Sequence, residues 1–314
     1  MANSRNLIVL FDGTWNTPNN KDGKVEALSN VAKFSNALAA CSGMQRQHYE
    51  EGVGTDFQER LAGGALGMGI KDLVLRGYSF LQEMYADPDF RHEDNKVFIF
   101  GFSRGAYTAR LLGHLIDWTG IPKESRDCEA GISLFLDRKG TGARKGSGRF
   151  FEVRVEMVGV WDTVKTAAIK DYRDATLPKA VVAGYHAMAL DEKRALFPVL
   201  RWKGAKDRAK EMWFAGVHSN VGGGYADSGL SDIALRWMID CAREHGLKFK
   251  QNEVEKFTPN PLGQQRDSFK EAKLSGNKRR RIRNGDLIHQ SVKERIAAGI
   301  GYEPVANNWP SNPC

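Results

Sequence analysis

The sequence predicts an α/β fold, with a mostly parallel sheet covered by helices on both faces. Three observations carry that prediction. Short apolar runs at Asn6–Phe11, Val97–Phe100, Phe151–Trp161 and Glu211–Val217 alternate with stretches of helical periodicity. Each run ends abruptly in a turn built from Gly, Asp, Ser or Asn. Lys96–Gly113, KVFIFGFSRGAYTARLLG, reads as buried strand, tight turn and helix in immediate succession.

Taken in order, the first strand, Asn6–Phe11, is ended by Asp12-Gly13-Thr14. Asp-Gly-Thr after a strand is similar to the D-x-D-G-T of haloacid-dehalogenase phosphatases. Their nucleophilic Asp would fall on Leu10, which excludes that chemistry. Asp12 reads as structural, with bracing of its own loop as the alternative. Asn30–Ala40 follows as a helix and Gln47–Glu51 as an edge strand. The glycines of GVGT (52–55) and GGALGMG (63–69) have no lysine in P-loop position, so close packing or a loop over a site explains them better than phosphate binding. Ile70–Tyr85 has helical spacing and leads into the strand at Val97.

The turn after that strand is Gly101-Phe102-Ser103-Arg104-Gly105, a G-x-S-x-G pentapeptide. With 33 glycines in 314 residues the pentapeptide alone is weak evidence. Flanked by a strand and a helix it becomes a nucleophile elbow, which lifts a serine hydroxyl above the end of a sheet. Gly101 and Gly105 let strand and helix backbones approach. The helix N-terminus points N–H groups at a developing oxyanion, so Arg104 N–H is the expected first donor. Gly13 or Thr14 N–H is the expected second.

A serine nucleophile needs an acid and a base, in the chain order Ser, Asp, His for this elbow. Gly140–Gly148 is a flexible connector, and the strand Phe151–Trp161 ends at Asp162-Thr163. Thr166–Lys210 holds an expected helix around Ala180–Phe197 and no further strand pattern, so 163–210 reads as a cap or insertion. The strand Glu211–Val217 ends at His218, which a glycine-rich loop (221–224) leaves free to reach over the elbow; Ser231–Ala242 is the next helix. Ser103, Asp162 and His218 thus all stand at strand C-termini, where an α/β-hydrolase carries its triad. The competing readings are a turn-capping Asp162 and a satisfied loop histidine. Of the other downstream histidines, His186 falls in the expected cap helix and His245 at a helix C-terminus. His289 follows an apolar Leu287-Ile288 but lacks the glycine loop.

Composition sets the class of protein. The chain is long enough for one large α/β domain spanning 1–314. Cys41, Cys128, Cys241 and Cys314 form no C-x-x-C pair, which points to reduced thiols rather than a disulfide frame or zinc site. No signal peptide or membrane span is expected, so synthesis is in the cytoplasm. No metal or organic cofactor is called for. The net charge of +8 is concentrated: residues 138–149 carry +5, 201–210 carry +4 and 266–283 carry +6, leaving −7 elsewhere. Lys278-Arg279-Arg280-Arg281 reads as a solvated surface run, with an anionic membrane as the main alternative and nucleic acid as the lesser one.

The ordered motifs LFDGTWN (10–16), GVGT, FGFSRGAYTAR (100–110), GVWDTV (159–164), DEKR (191–194), GVHSNVGGGY (216–225) and IHQSVKERI (288–296) carry a resemblance over nearly the whole chain. The chain resembles the α/β-hydrolase domain of the type VI secretion lipase effectors and their uncharacterised bacterial relatives. That resemblance implies a phospholipase whose triad falls on Ser103, Asp162 and His218. It also implies a lipid ester substrate and delivery by a secretion system, with an immunity or delivery partner left unspecified. Asn220 stands where the family often has an acid. Hydrolysis of soluble acylated metabolites or sugars is the neighbouring expectation. A non-catalytic membrane- or nucleic-acid-binding module is the expectation from another class.

Overall fold

The computed structural model describes residues 5–14, 16–40, 44–52, 65–88, 93, 95–136, 148–164, 175–205, 207–271 and 276–309. Seven parallel strands form the main sheet: β1 (Asn6–Phe11), β2 (Gln45–Glu50), β3 (Lys96–Phe102), β4 (Val155–Trp161), β5 (Val181–Ala189), β6 (Ala209–Phe214) and β7 (Leu287–Ile288). Their order across the sheet is β7-β6-β5-β4-β3-β1-β2, the open sheet of an α/β-hydrolase fold. The helices used below are α1 (Asn30–Ala37), α2 (Ala65–Ala86), α3 (Ser103–Thr119), α4 (Asp127–Leu136), α5 (His218–Gly222), α6 (Gly229–Glu244) and α7 (Gln290–Ala297).

The continuous apolar strands follow from burial on both faces. On β1, Leu7, Val9 and Phe11 pack with α2, α3 and α4, whereas Ile8 and Leu10 pack with α1 and α6. Successive side chains of a strand point to opposite faces, so one LIVLF run supplies both layers. The edge strand β2, QRQHYE, is the polar one, as its position requires.

Residues 181–189, expected as helix, form β5, hydrogen-bonded between β4 and β6 in the middle of one half of the sheet. Ala183, Ala187, Met188 and Ala189 favour a helix locally. Burial from both sides overrides that preference, with Ala187 to Ala189 fully enclosed. The cap reading of 163–210 therefore does not hold for these residues. His186 lies on this strand and not on a helix. Residues 140–147 of the connector, 53–55 of GVGT and 63–64 of GGALGMG lie outside the described residues, and 65–69 of the second motif form the start of α2 rather than a loop.

The basic run is not simply a solvated loop. Lys278 N–H donates to Lys193 O and Ile282 N–H to Asn307 O, so this stretch is extended between two neighbouring segments. Extended backbone alternates its side chains: Arg280 and Ile282 are buried, while Arg279, Arg281 and Arg283 are exposed.

At the elbow, strand and helix meet with no room for a side chain. A Cβ on Gly101 would lie 2.4 Å from Gly105 O, and one on Gly105 would lie 2.2 Å from Phe11 O. Both obstacles are backbone of buried elements, so neither can move aside. Gly105→Ala should therefore cost roughly 1–3 kcal/mol or more. Gly276→Ala, where the nearest atom would be 3.5 Å away, should stay within about 1 kcal/mol of the parent. Urea denaturation of the two variants measures this; equal midpoints would contradict the packing account.

Candidate active site

Three strand ends converge on one point. Ser103 begins α3 directly after β3, Asp162 follows β4, and His218 begins α5 four residues after β6 ends. Ser103 and Asp162 adopt positive φ, 58° and 41°, an uncommon conformation for residues with a side chain. Such strain persists only where the surroundings over-determine it, and it turns both side chains toward His218.

The polar contacts form one line. His218 Nδ1 lies 2.6 Å from Asp162 Oδ2, and His218 Nε2 lies 2.8 Å from Ser103 Oγ. A carboxylate only accepts, so Nδ1 carries the hydrogen and Nε2 of the neutral ring faces the hydroxyl as acceptor. Burial lowers the His218 pKa below its ordinary value, with Asp162 opposing the shift.

Asp162 is fully buried and its four contacts are all to donors. Oδ1 accepts from Ala189 N–H at 2.9 Å and from Arg280 Nη1 at 2.5 Å. Oδ2 accepts from His218 and from Arg280 Nη2 at 2.8 Å. Burial alone would raise this carboxyl's pKa. The Arg280 charge, with His218, reverses that and holds it well below the usual carboxylate range. Arg280 also donates to Ala189 O and Phe197 O. Sequence reading missed this residue because it sits in a basic run. The available signal was the alternation of Arg280 and Ile282 with their charged neighbours.

The histidine is held through its backbone and by two aromatic rings. Glu192, of the DEKR motif, is buried; its Oε2 accepts from His218 N–H at 3.2 Å and Ser268 Oγ at 3.1 Å. Arg194, paired to both carboxylate oxygens of Glu192, brings its pKa down to about 2 against the effect of burial. Asp191 accepts from Gly216 N–H at 2.7 Å, fixing the approach to the histidine loop. Asn220 accepts from Val217 N–H and donates to Gln264 O, so the loop is braced here by an amide. The Phe102 ring packs on His218 at 4.6 Å and the Phe197 ring at 5.0 Å. Phe102 fills the space above Gly222, where a Cβ would be 1.9 Å from Cε2.

Asp12 ties the first loop together. It accepts from Gly13 N–H (2.6 Å), Ser29 Oγ (2.5 Å) and Tyr49 Oη (2.6 Å), and burial pushes its pKa up to about 6. The bracing alternative thus describes its contacts. This also corrects the expectation for Gly13, whose N–H is engaged by Asp12. Arg104 N–H, in the first turn of α3, and Thr14 remain as the expected donors to an oxyanion.

The other histidines have work elsewhere. His186 Nε2 accepts from Thr163 N–H at 3.0 Å, and Nδ1 faces Glu211 at 3.3 Å. His245 sits at the C-terminus of α6 between Glu156 and Tyr185. His289 caps α7 through Ser291 N–H and stacks on Phe214. Among the described residues no group of three or more His, Cys, Asp or Glu is arranged to hold a metal. Nor is any described helix long and apolar enough to cross a membrane.

The parallel sheet flanked by helices defines the class, an α/β-hydrolase fold, and at the ends of its strands Ser103, His218 and Asp162 lie in one buried line of contacts. Residues 5–241 match the family described as "T6SS, Phospholipase effector Tle1-like, catalytic domain", and the chain belongs to that family. A Saccharomyces cerevisiae protein, uncharacterised YEL023C, is 24% identical over 236 residues, 63% of this chain and 33% of that one. An uncharacterised Pseudomonas aeruginosa protein superposes with a TM-score of 0.54 at 18% identity, over 82% of this chain and 49% of the other. The Tle1 effector bound to the VgrG spike of the type VI secretion system superposes with a TM-score of 0.54 at 16% identity, over 83% and 77%. The chain thus spans about a third of the yeast protein and half of the Pseudomonas protein.

Removing Arg280 leaves Asp162 buried without its main counter-charge. Arg280→Ala should cost about 3–5 kcal/mol in urea denaturation. Asp162→Asn/Arg280→Met, which removes both charges, should recover much of that loss. A near-neutral Arg280→Ala would show that the pair contributes no such balance.

Proposed function

We propose that the chain is a serine hydrolase that cleaves carboxylic esters of lipids, phospholipids foremost, through an acyl-enzyme on Ser103. The observation that carries this reading is the unbroken contact line from Ser103 Oγ through His218 to Asp162. Membership of the Tle1-like phospholipase family supports the lipid class of substrate.

In this reading His218 Nε2 takes the Ser103 proton as Oγ attacks the ester carbonyl. The imidazolium that forms lies against Asp162, whose carboxylate stays ionised beside Arg280. Arg104 and Thr14 N–H groups stabilise the tetrahedral oxyanion. The imidazolium then passes its proton to the departing alcohol, and the same base activates a water to release the acid. Arg280 touches no substrate; it positions Asp162. Delivery through a type VI apparatus follows only from the family and from the Tle1–VgrG complex.

A fluorophosphonate probe should label wild type and not Ser103→Ala, and ester turnover should fall by several orders of magnitude in that variant while it stays folded. Near-wild-type turnover would sink the mechanism. The kcat/KM profile should rise with pH as the imidazolium is lost, with its midpoint below the ordinary value of ~6.5 because burial favours the neutral ring. His218→Ala should abolish turnover, and His289→Ala should retain it. Esters offered as monomers and as vesicles separate lipids from soluble substrates.

A further inference from the structure

Behind the histidine and aspartate lies a groove of about 1210 Å³, lined by 194, 195, 197–201, 203, 278–286 and 288 with Ala175 and Asn308. Five of its cations, Lys203, Lys278, Arg279, Arg281 and Arg283, make no side-chain ion pair among the described residues. The groove's other three arginines are satisfied: Arg194 by Glu192, Arg201 by Glu211 and Asp286, and Arg280 by Asp162. Among the described residues Asp286 is the one acid in the lining, and Arg201 and Trp213 already use its carboxylate. The charges therefore divide into a fixed, neutralised floor and an uncompensated rim.

We propose that this groove binds the phosphate of an anionic ligand, with a phospholipid head group as the favoured source. A concave wall lined by one sign of charge concentrates anions beyond what scattered surface lysines do. Two features favour a lipid. Leu196 and Leu287, adjoining lining residues, expose 62% and 46% of their surface, placing apolar side chains beside the basic rim. The floor is also the far side of the proposed site, through Arg280 on Asp162 and Phe197 on His218. The proposal rests on the hydrolase reading only for its lipid partner. The two fail separately, because the test below reads binding, whereas the hydrolase reading fails on Ser103→Ala turnover.

The experiment compares wild type with Arg279→Gln/Arg281→Gln and with Lys248→Gln/Lys250→Gln, which removes equal charge from exposed positions outside the groove. Binding is measured to phosphatidylglycerol vesicles, to phosphatidylcholine vesicles and to pyrophosphate. Wild type should bind phosphatidylglycerol well above phosphatidylcholine. Loss of the two groove arginines should weaken that by about 30-fold, the usual worth of two cations near an anionic surface. The control pair should stay within about 3-fold, as expected of screened charges beside β2, at the sheet edge opposite β7. Groove-dependent pyrophosphate binding without vesicle binding would keep the phosphate site and assign it a soluble ligand. Failure to bind either, or equal weakening by both double variants, would overturn it.

Discussion

A carboxylate can leave water only if its charge is met by donors in the interior, and Asp162 meets that condition with four contacts. Those contacts come from β5, from the histidine loop and twice from the segment after residue 275. The same group thus binds together pieces of chain that also meet through Asp191, Glu192 and Lys193. Arg280 reaches on to the carbonyls of Ala189 and Phe197, so its one guanidinium organises the end of β5 and the wall of the groove together. The positive φ of Asp162 is tolerable because this network fixes the side chain from every direction.

On the opposite side the packing centre is Phe102, the residue just before the elbow serine. Its ring occupies space that a side chain at Gly13 or Gly222 would need, and it lies against His218. The serine loop, the first loop and the histidine loop are therefore spaced by one aromatic ring. Asn30 strengthens the join by donating to Val221 O and Ser231 O. Polar contacts set the line of the site, and apolar contact sets its spacing.

Much of this was legible in the sequence because it depends on local order. A strand, a turn and a polar residue of the contact line lie within a few positions of one another at Ser103, Asp162 and His218. What was not legible depends on distant partners. β5 read as a helix because alanine and methionine carry that local preference; only its neighbours β4 and β6 make it a strand. Arg280 read as solvated because its partner lies 118 residues away. Glu192 was visible only within a motif, since nothing nearby in sequence reveals that it holds the His218 backbone. At Asn220, expected to differ from the family, the amide oxygen accepts from Val217 N–H within the loop.

The separation of Asp162 from Arg280 also bears on how the chain matures. A ribosome makes β3, β4 and β5 well before it reaches position 280. Until then Asp162 has no guanidinium to offset its desolvation, and water must stay at the ends of those strands. Closure of the centre thus waits for the segment that carries Arg280. Parallel pairings joined by long crossovers already make for slow assembly, since contacts distant in sequence must be found first. Until that segment docks, the Asp162 carboxylate keeps its water, because a lone buried charge would cost more than the fold gains.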